Sequence, residues 1–364
     1  MPSALFSPIA LRGLTLPNRL VVSPMCQYAA EDGAATDWHL MHLGSLALAE
    51  WLICIEATAV SPEGRITPGC LGLYSDRDEA ALGRVLAFAR RYGVAKFGIQ
   101  LAHSGRKGSA LTPLESGKPL PKDRAWMAQA PSALPYDADW PAPAALDMDG
   151  IAKLKRDFAL ATERAARLGI DLVELHMGHG YLMHQFLSPL SNRRNDRYGG
   201  DFAGRTRLPL ETFDLVRAAW PEARPLGVRL SATDWVEGGW TPEETVALSV
   251  ELKARGCDFV DVTTGGLDPR QKLAPAPGFQ VPFAARVKRE AGIAVMAVGL
   301  IAEPRQAETI VAEGQADMVA LARGAMDDPR WPWHAARALG VETAYAPQMI
   351  RAHPKTWPPG RPAA

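Results

Sequence analysis

Eight short apolar runs recur along the chain, each followed by a stretch patterned like a helix. They fall at residues 20–26, 52–57, 97–102, 172–176, 226–231, 259–263, 295–298 and 318–321. The runs are apolar on both faces, as strands of a buried parallel sheet are. Eight such strands close a (β/α)8 barrel, a fold that keeps its active sites at the C-terminal strand ends. The rival is a doubly wound open sheet, which carries a glycine-rich turn after its first strand. No G-x-G-x-x-G occurs anywhere in the chain. A single α/β TIM barrel is the expected fold, and 364 residues suit one such unit.

Several intervening helices read directly. Residues 149–168 carry apolar side chains at helical spacing, and Gly169 is placed to end them. Thr241-Pro242-Glu243-Glu244 opens another: threonine caps, proline suits the first turn, and acids favour the positive helix end. Ala302-Glu303-Pro304 starts a third. Residues 103–147 break the rhythm, being rich in proline and polar residues after the third strand. Long loops at that end of a barrel build lids and pocket walls, so this excursion is expected to cap the mouth. The tail from residue 346 is proline-rich.

Charge narrows the partners. Lys plus Arg and Asp plus Glu each number 40, so no basic excess points to nucleic acid. No run approaches the roughly 18 apolar residues that span a membrane. Met1-Pro2-Ser3-Ala4-Leu5-Phe6 lacks a basic segment followed by an apolar core, so no signal peptide is read. The four cysteines, Cys26, Cys54, Cys70 and Cys257, form no C-x-x-C pair, which argues against a zinc or iron–sulfur site. Few cysteines in a long chain fit a reducing cytoplasm.

The chemistry concentrates in Glu174-Leu175-His176-Met177-Gly178-His179-Gly180-Tyr181, at the end of the fourth run. Two imidazoles can donate hydrogen bonds to one carbonyl oxygen, and a phenol can protonate carbon as a general acid. The H-x-x-H spacing alone also suits a metal pair or two packed histidines. A metal wants further ligands, and none stands at suitable spacing.

Further segments lie in order along the chain. They include Leu16-Pro17-Asn18-Arg19, Ser23-Pro24-Met25-Cys26-Gln27-Tyr28, Ile55-Glu56-Ala57-Thr58-Ala59-Val60 and Glu63-Gly64-Arg65-Ile66. Ile99-Gln100-Leu101-Ala102-His103-Ser104-Gly105-Arg106-Lys107 follows, then Leu187-Ser188-Pro189-Leu190-Ser191-Asn192 and Asp196-Arg197-Tyr198-Gly199-Gly200. With these motifs the chain resembles the Old Yellow Enzyme family, in its thermophilic-like or xenobiotic-reductase branch, over residues 5–331. The resemblance implies FMN across the barrel mouth, reduced by NADPH or NADH, and an activated alkene as the small-molecule substrate. It implies that His176 and His179 hold the activating oxygen while Tyr181 protonates the α-carbon. Hydride addition builds negative charge on that oxygen, where two donors stabilise it most.

The resemblance also assigns the cofactor residues. Ser23, Pro24, Met25 and Cys26 would line the flavin ring, with the Cys26 thiol tuning its potential. The alternative for Cys26 is a small buried core residue. Tyr28, two residues on, would face the same side of an extended strand and wall the substrate pocket, or else be an ordinary packed aromatic. Ala57 would pack on the ring and Gln100 would pair with its pyrimidine edge. Arg229, charged within an apolar run, wants a buried anion, either the reduced flavin or an intrabarrel carboxylate. Gly299, Ala322 and Arg323 follow the last two runs, where barrels hold phosphate.

Some positions depart from the family pattern. Ala322 stands where glycine is usual before Arg323, and Gly204 where asparagine is usual before Arg205. Gly204 implies altered local packing rather than lost chemistry. Trp51 stands where small residues usually precede the second strand. In this branch the C-terminus reaches a neighbouring subunit's site, which makes Trp357 a candidate substrate contact in a homodimer or larger oligomer. The alternative is a mobile tail. Rival functions are a dienoyl-CoA reductase, whose iron–sulfur cysteines are missing here, a flavin sensor or store, and a metal-dependent barrel hydrolase.

Overall fold

A computed structural model describes residues 2–357. The chain begins with β1 (Ile9–Leu11), β2 (Leu14–Leu16), β3 (Leu20–Val22), α1 (Asp37–Ala47), β4 (Leu52–Ala59), α2 (Asp76–Tyr92) and β5 (Lys96–Ala102). Two short strands follow, β6 (Gln129–Ala130) and β7 (Ala144–Ala145), then α3 (Met148–Arg167), β8 (Leu172–Met177), α4 (Leu182–Leu187) and α5 (Phe202–Ala219). The rest is β9 (Leu226–Ser231), α6 (Pro242–Ala254), β10 (Phe259–Thr263), α7 (Val281–Ala291), β11 (Ala294–Ala297), α8 (Pro304–Ala312), β12 (Met318–Leu321), α9 (Arg323–Asp327) and α10 (Trp331–Leu339).

The eight strands β3, β4, β5, β8, β9, β10, β11 and β12 close a barrel, with β12 pairing back onto β3. Every pairing in it is parallel. This is the expected (β/α)8 barrel, and three strands have the same bounds as the expected runs: β9, β10 and β12. The first strand is shorter than expected. It stops at Val22, one residue before Ser23, whose N–H still reaches Leu321 O at 2.8 Å. Pro24 has no N–H to continue the ladder. The second strand runs longer, to Ala59, across a register shift between Ile55 and Thr58.

Local chemistry sets the helix ends. Thr241 caps α6 by accepting from Glu244 N at 3.2 Å, and Glu244 reaches back to Thr241 N at 3.1 Å. Asp147 caps α3 by accepting from Gly150 N at 2.7 Å. The local packing around Gly204 leaves no room for a side chain. A side chain there would collide with the carbonyl of Gly199. Arg205 stays buried, donating to Leu187 O and pairing with Glu244. Trp51 is buried, and its indole N–H donates to Leu46 O at 2.9 Å.

Two apolar clusters hold the molecule. The larger lies between barrel and helices, and takes Leu20 and Val22 from β3, Ile53 and Ile55 from β4, and Val173 and Leu175 from β8. The smaller fills the barrel's N-terminal end with Val21, Leu52, Leu172, Phe259, Met296 and Met318. Leu11 and Leu16 join it from the antiparallel hairpin β1–β2, which plugs the base. Alternate strand residues thus face opposite sides of the barrel wall. Among the described residues, no helix is long and apolar enough to cross a membrane.

Candidate active site

Strand alternation delivers the site. Leu172 points into the base of the barrel, so Glu174 and then His176 point inward above it. The same step of two carries Gly227 to Arg229 to Ser231 on β9, and Phe259 to Asp261 to Thr263 on β10. An apolar floor therefore gives way to a charged layer and then to a hydrogen-bonding rim. Within the charged layer Gln100 Nε2 donates to Glu174 Oε1 at 2.7 Å, and Arg229 Nε faces Asp261 Oδ2 at 3.1 Å. Burial first, and then the Asp261 charge, push the Glu174 carboxyl up to about 8. Of the two anionic partners weighed for Arg229 from sequence, the intrabarrel carboxylate is present: Asp261 pairs with its Nε at 3.1 Å as an ion pair, without a hydrogen bond.

The two histidines stand on a strained turn at the end of β8. His179 has φ of 55° and Gly180 of 73°, and a side chain on Gly180 would strike the Gly266 carbonyl. The turn is pinned from below. Gly178 N–H donates to His176 Nδ1 at 3.2 Å, and Gly180 N–H donates to His184 Nδ1 at 2.9 Å. The buried Asp234 holds His184 by facing its Nε2 at 2.9 Å. His179 N–H donates to Ser231 Oγ at 2.8 Å. The outcome is His176 Nε2 beside His179 Nδ1 at 3.3 Å, with the rings at 89°. Burial, reinforced by the Arg229 charge, lowers both imidazoles well below their ordinary range, so both are neutral.

Tyr181 completes the rim. Its ring lies 5.0 Å from that of His176 at 76°. Burial raises its phenol well above the ordinary range, which keeps the proton on the oxygen. Lys107 Nζ sits 5.2 Å over the Tyr181 ring and donates to His179 O at 2.9 Å and Gly266 O at 2.8 Å. Burial lowers this ammonium to about 8. Lys107 and Thr263 carried no role in the sequence reading. Their only signals are an inward-facing polar position on β10 and the end of a basic pair in Arg106-Lys107.

Ser23, Pro24, Met25, Cys26 and Tyr28 line one side of the mouth, but not as an extended strand. Tyr28 has φ of 56°, so a turn rather than strand alternation sets its direction, and it still lies close enough to Cys26 for the two groups to interact electrostatically. Cys26 lies against Cys70, and their shared hydrogen bond, with burial, keeps the Cys26 thiol protonated while Cys70 is the more acidic of the two. Cys70 also receives the Thr67 N–H at 3.3 Å. Ala57 is buried beside them.

Two features suit a bound flavin nucleotide. Ser23 Oγ is buried with no hydrogen-bond partner. Next to it, after the neighbouring strands β11 and β12, Gly299 takes φ of 125°, and Ala322 precedes α9 with Arg323 exposed and open space beside Gly324. Unpaired amides at a helix start and a guanidinium suit a phosphate. Trp357 is 47% exposed, away from this cluster. Among the described residues no group of three or more His, Cys, Asp or Glu could hold a metal ion.

Residues 4–342 match the model of the NADH:flavin oxidoreductase / NADH oxidase family. A NADH:flavin oxidoreductase of Gibberella zeae is 43% identical, over 94% of this chain and 88% of that protein. An NADPH dehydrogenase of Geobacillus sp. (strain WCH70) is 41% identical, over 96% and 99%. Among solved structures, morphinone reductase superposes with a TM-score of 0.77 at 26% identity, over 100% of this chain and 94% of that one. A 2-naphthoyl-CoA reductase shares the fold with a TM-score of 0.83 at 22% identity, and this chain spans only 52% of its length. The chain belongs to the Old Yellow Enzyme family of NADH:flavin oxidoreductases, and is an NAD(P)H-dependent oxidoreductase that works with FMN.

Proposed function

We propose that this enzyme is an ene-reductase acting on α,β-unsaturated carbonyl or nitro compounds. The observation that carries the reading is the arrangement of two neutral imidazoles and a protonated phenol on one turn, with His176 Nε2 and His179 Nδ1 only 3.3 Å apart. FMN, reduced by a nicotinamide, supplies the hydride that the alkene's β-carbon accepts. His176 and His179 hold the carbonyl or nitro oxygen, where negative charge grows as the hydride arrives. Tyr181, kept protonated by burial, gives its proton to the α-carbon. Lys107 fixes the turn that carries both His179 and Tyr181.

The same reading assigns the flavin contacts. Ser23 to Cys26 and Ala57 would hold the ring, Gln100 and Arg229 would bind its polar edge, and Gly299, Ala322 and Arg323 would hold the phosphate. Residues 103–147 cap the mouth: Arg106 ties this segment to Leu267 O at 3.1 Å. The exposed Trp357 is available to a second subunit in a homodimer or larger assembly. The test is anaerobic mixing of FMN-loaded protein with NADPH or NADH, followed by 2-cyclohexenone. Bleaching of the yellow flavin and its return on adding the enone is the expected result. A flavin that bleaches and stays bleached with enones and nitroalkenes alike rules the proposal out and favours a flavin store.

A further inference from the structure

The two imidazoles cannot both serve the oxygen in the tautomers that the rim's own hydrogen bonds impose. His176 Nδ1 accepts from Gly178 N–H at 3.2 Å, so the neutral ring carries its proton on Nε2. That proton points at His179 Nδ1, 3.3 Å away. His179 Nδ1 is then the acceptor, and its proton sits on Nε2, which faces Thr263 Oγ1 at 2.9 Å. Thr263 in turn donates to Gln280 Oε1 at 3.1 Å. The Gln280 amide is oriented by its other end, where Nε2 donates to Val298 O at 3.1 Å. A carbonyl only accepts, so Oε1 must face the threonines.

In this state His179 presents a lone pair to the place where a substrate oxygen would sit. Donation from both rings needs the opposite His179 tautomer, with the proton on Nδ1. Its Nε2 then needs a donor, and among the described residues the hydroxyl in reach is that of Thr263. Turning that hydroxyl away from Gln280 strands nothing, because Thr264 Oγ1 also donates to Gln280 Oε1, at 2.8 Å. The proton that leaves Nε2 passes to solvent as another from solvent arrives at Nδ1, so the ring and the solvent both keep their charge. A hydroxyl can play both parts because it donates one proton and still accepts. Ser231 cannot substitute. Its oxygen takes the His179 backbone N–H and its proton goes to Gly265 O at 2.9 Å.

We propose that Thr263 is a positioning residue, whose hydroxyl sets which His179 nitrogen carries the proton and so admits the second donor to the substrate oxygen. This rests on the assignment of the histidine pair as the oxygen site. Donation to Nε2 also makes the Nδ1 proton a stronger donor, which matters most for an anionic ligand.

The test uses FMN-loaded enzyme titrated with 4-hydroxybenzaldehyde, read by the flavin charge-transfer band. Thr263→Val is expected to weaken binding about tenfold, the size of one lost hydrogen bond to a charged system. Thr263→Ser is expected to stay within about threefold of the parent. Equal affinity in Thr263→Val and parent, or loss of affinity in Thr263→Ser, overturns the proposal. His176→Ala separates the two layers of argument. If it too binds the phenol like the parent, the oxygen-site reading itself fails; if it alone weakens binding, only the Thr263 relay fails. Should Thr263→Val not fold, the parent labelled with 15N-histidine decides. His179 Nδ1 bare in the free enzyme and protonated in the phenol complex supports the relay; one tautomer in both states refutes it.

Discussion

The two ends of the barrel are made by the same eight strands and have opposite characters. The base is apolar and plugged by Leu11 and Leu16 from the hairpin β1–β2. The mouth carries the histidine turn and Tyr181, set above the buried carboxylates Glu174 and Asp261. Backbone strain occurs at both ends and is more frequent at the mouth, where Asp32, Ser109, Trp235 and Leu300 also follow barrel strands with positive φ. Arg12 is a positive-φ non-glycine residue at the base, held by Asp258, whereas Tyr28 and His179 take that conformation at the mouth. Strained backbone and buried charge cost stability and persist only where surrounding structure enforces them. The base supplies that support, and the mouth uses it to aim side chains at a substrate.

If this division holds, substitutions at the two ends should separate cleanly. The largest effect belongs to the mouth. Tyr181→Phe should slow enone-driven flavin reoxidation by at least about a hundredfold, the scale of a lost general acid, with flavin reduction and melting temperature nearly unchanged. At the base the effect should reverse. Leu16→Ala removes most of a side chain that is 1% exposed, and should cost about 3 kcal/mol of stability, with both half-reactions intact in the folded protein. A parent-like melting temperature for Leu16→Ala would mean that the hairpin is dispensable and the comparison wrong.

A smaller effect comes from the charged layer between the two ends. The Glu174 carboxyl, ordinarily near 4.5, is raised to about 8 in the folded protein. The folded state therefore holds this proton when the unfolded chain has lost it, and stability should fall as pH rises from about 4.5 through 8. Glu174→Gln keeps the shape without the charge, and should flatten that decline in thermal melts of the flavin-free protein. An identical pH profile in both proteins would show that Glu174 is ionised and paired throughout.

The barrel was legible in the sequence because each of its strands is a dense apolar run, as in Leu226–Ser231 and Phe259–Thr263. The hairpin β1–β2 was not, because strands of three residues are too short to show a period. The shortened first strand was readable in principle from Pro24. The histidine turn was visible because its residues lie together in the chain. Its supports were not, because they come from far away: Lys107 is 72 positions from His179, and Thr263 is 84. The turn at Tyr28, where extended backbone was expected from Cys26 onward, was not legible for a related reason. A single positive φ undoes the alternation that an extended strand would impose.

The central claim is that the mouth divides alkene reduction between a hydride from the cofactor and a proton from the protein. Isotope placement in the product tests this directly. Reduction of 2-cyclohexenone with nicotinamide deuterated at its donor position, in ordinary water, should put deuterium on the β-carbon. Reduction with ordinary nicotinamide in heavy water should put it on the α-carbon. Solvent deuterium on the β-carbon, or no nicotinamide label in the product, would contradict the account.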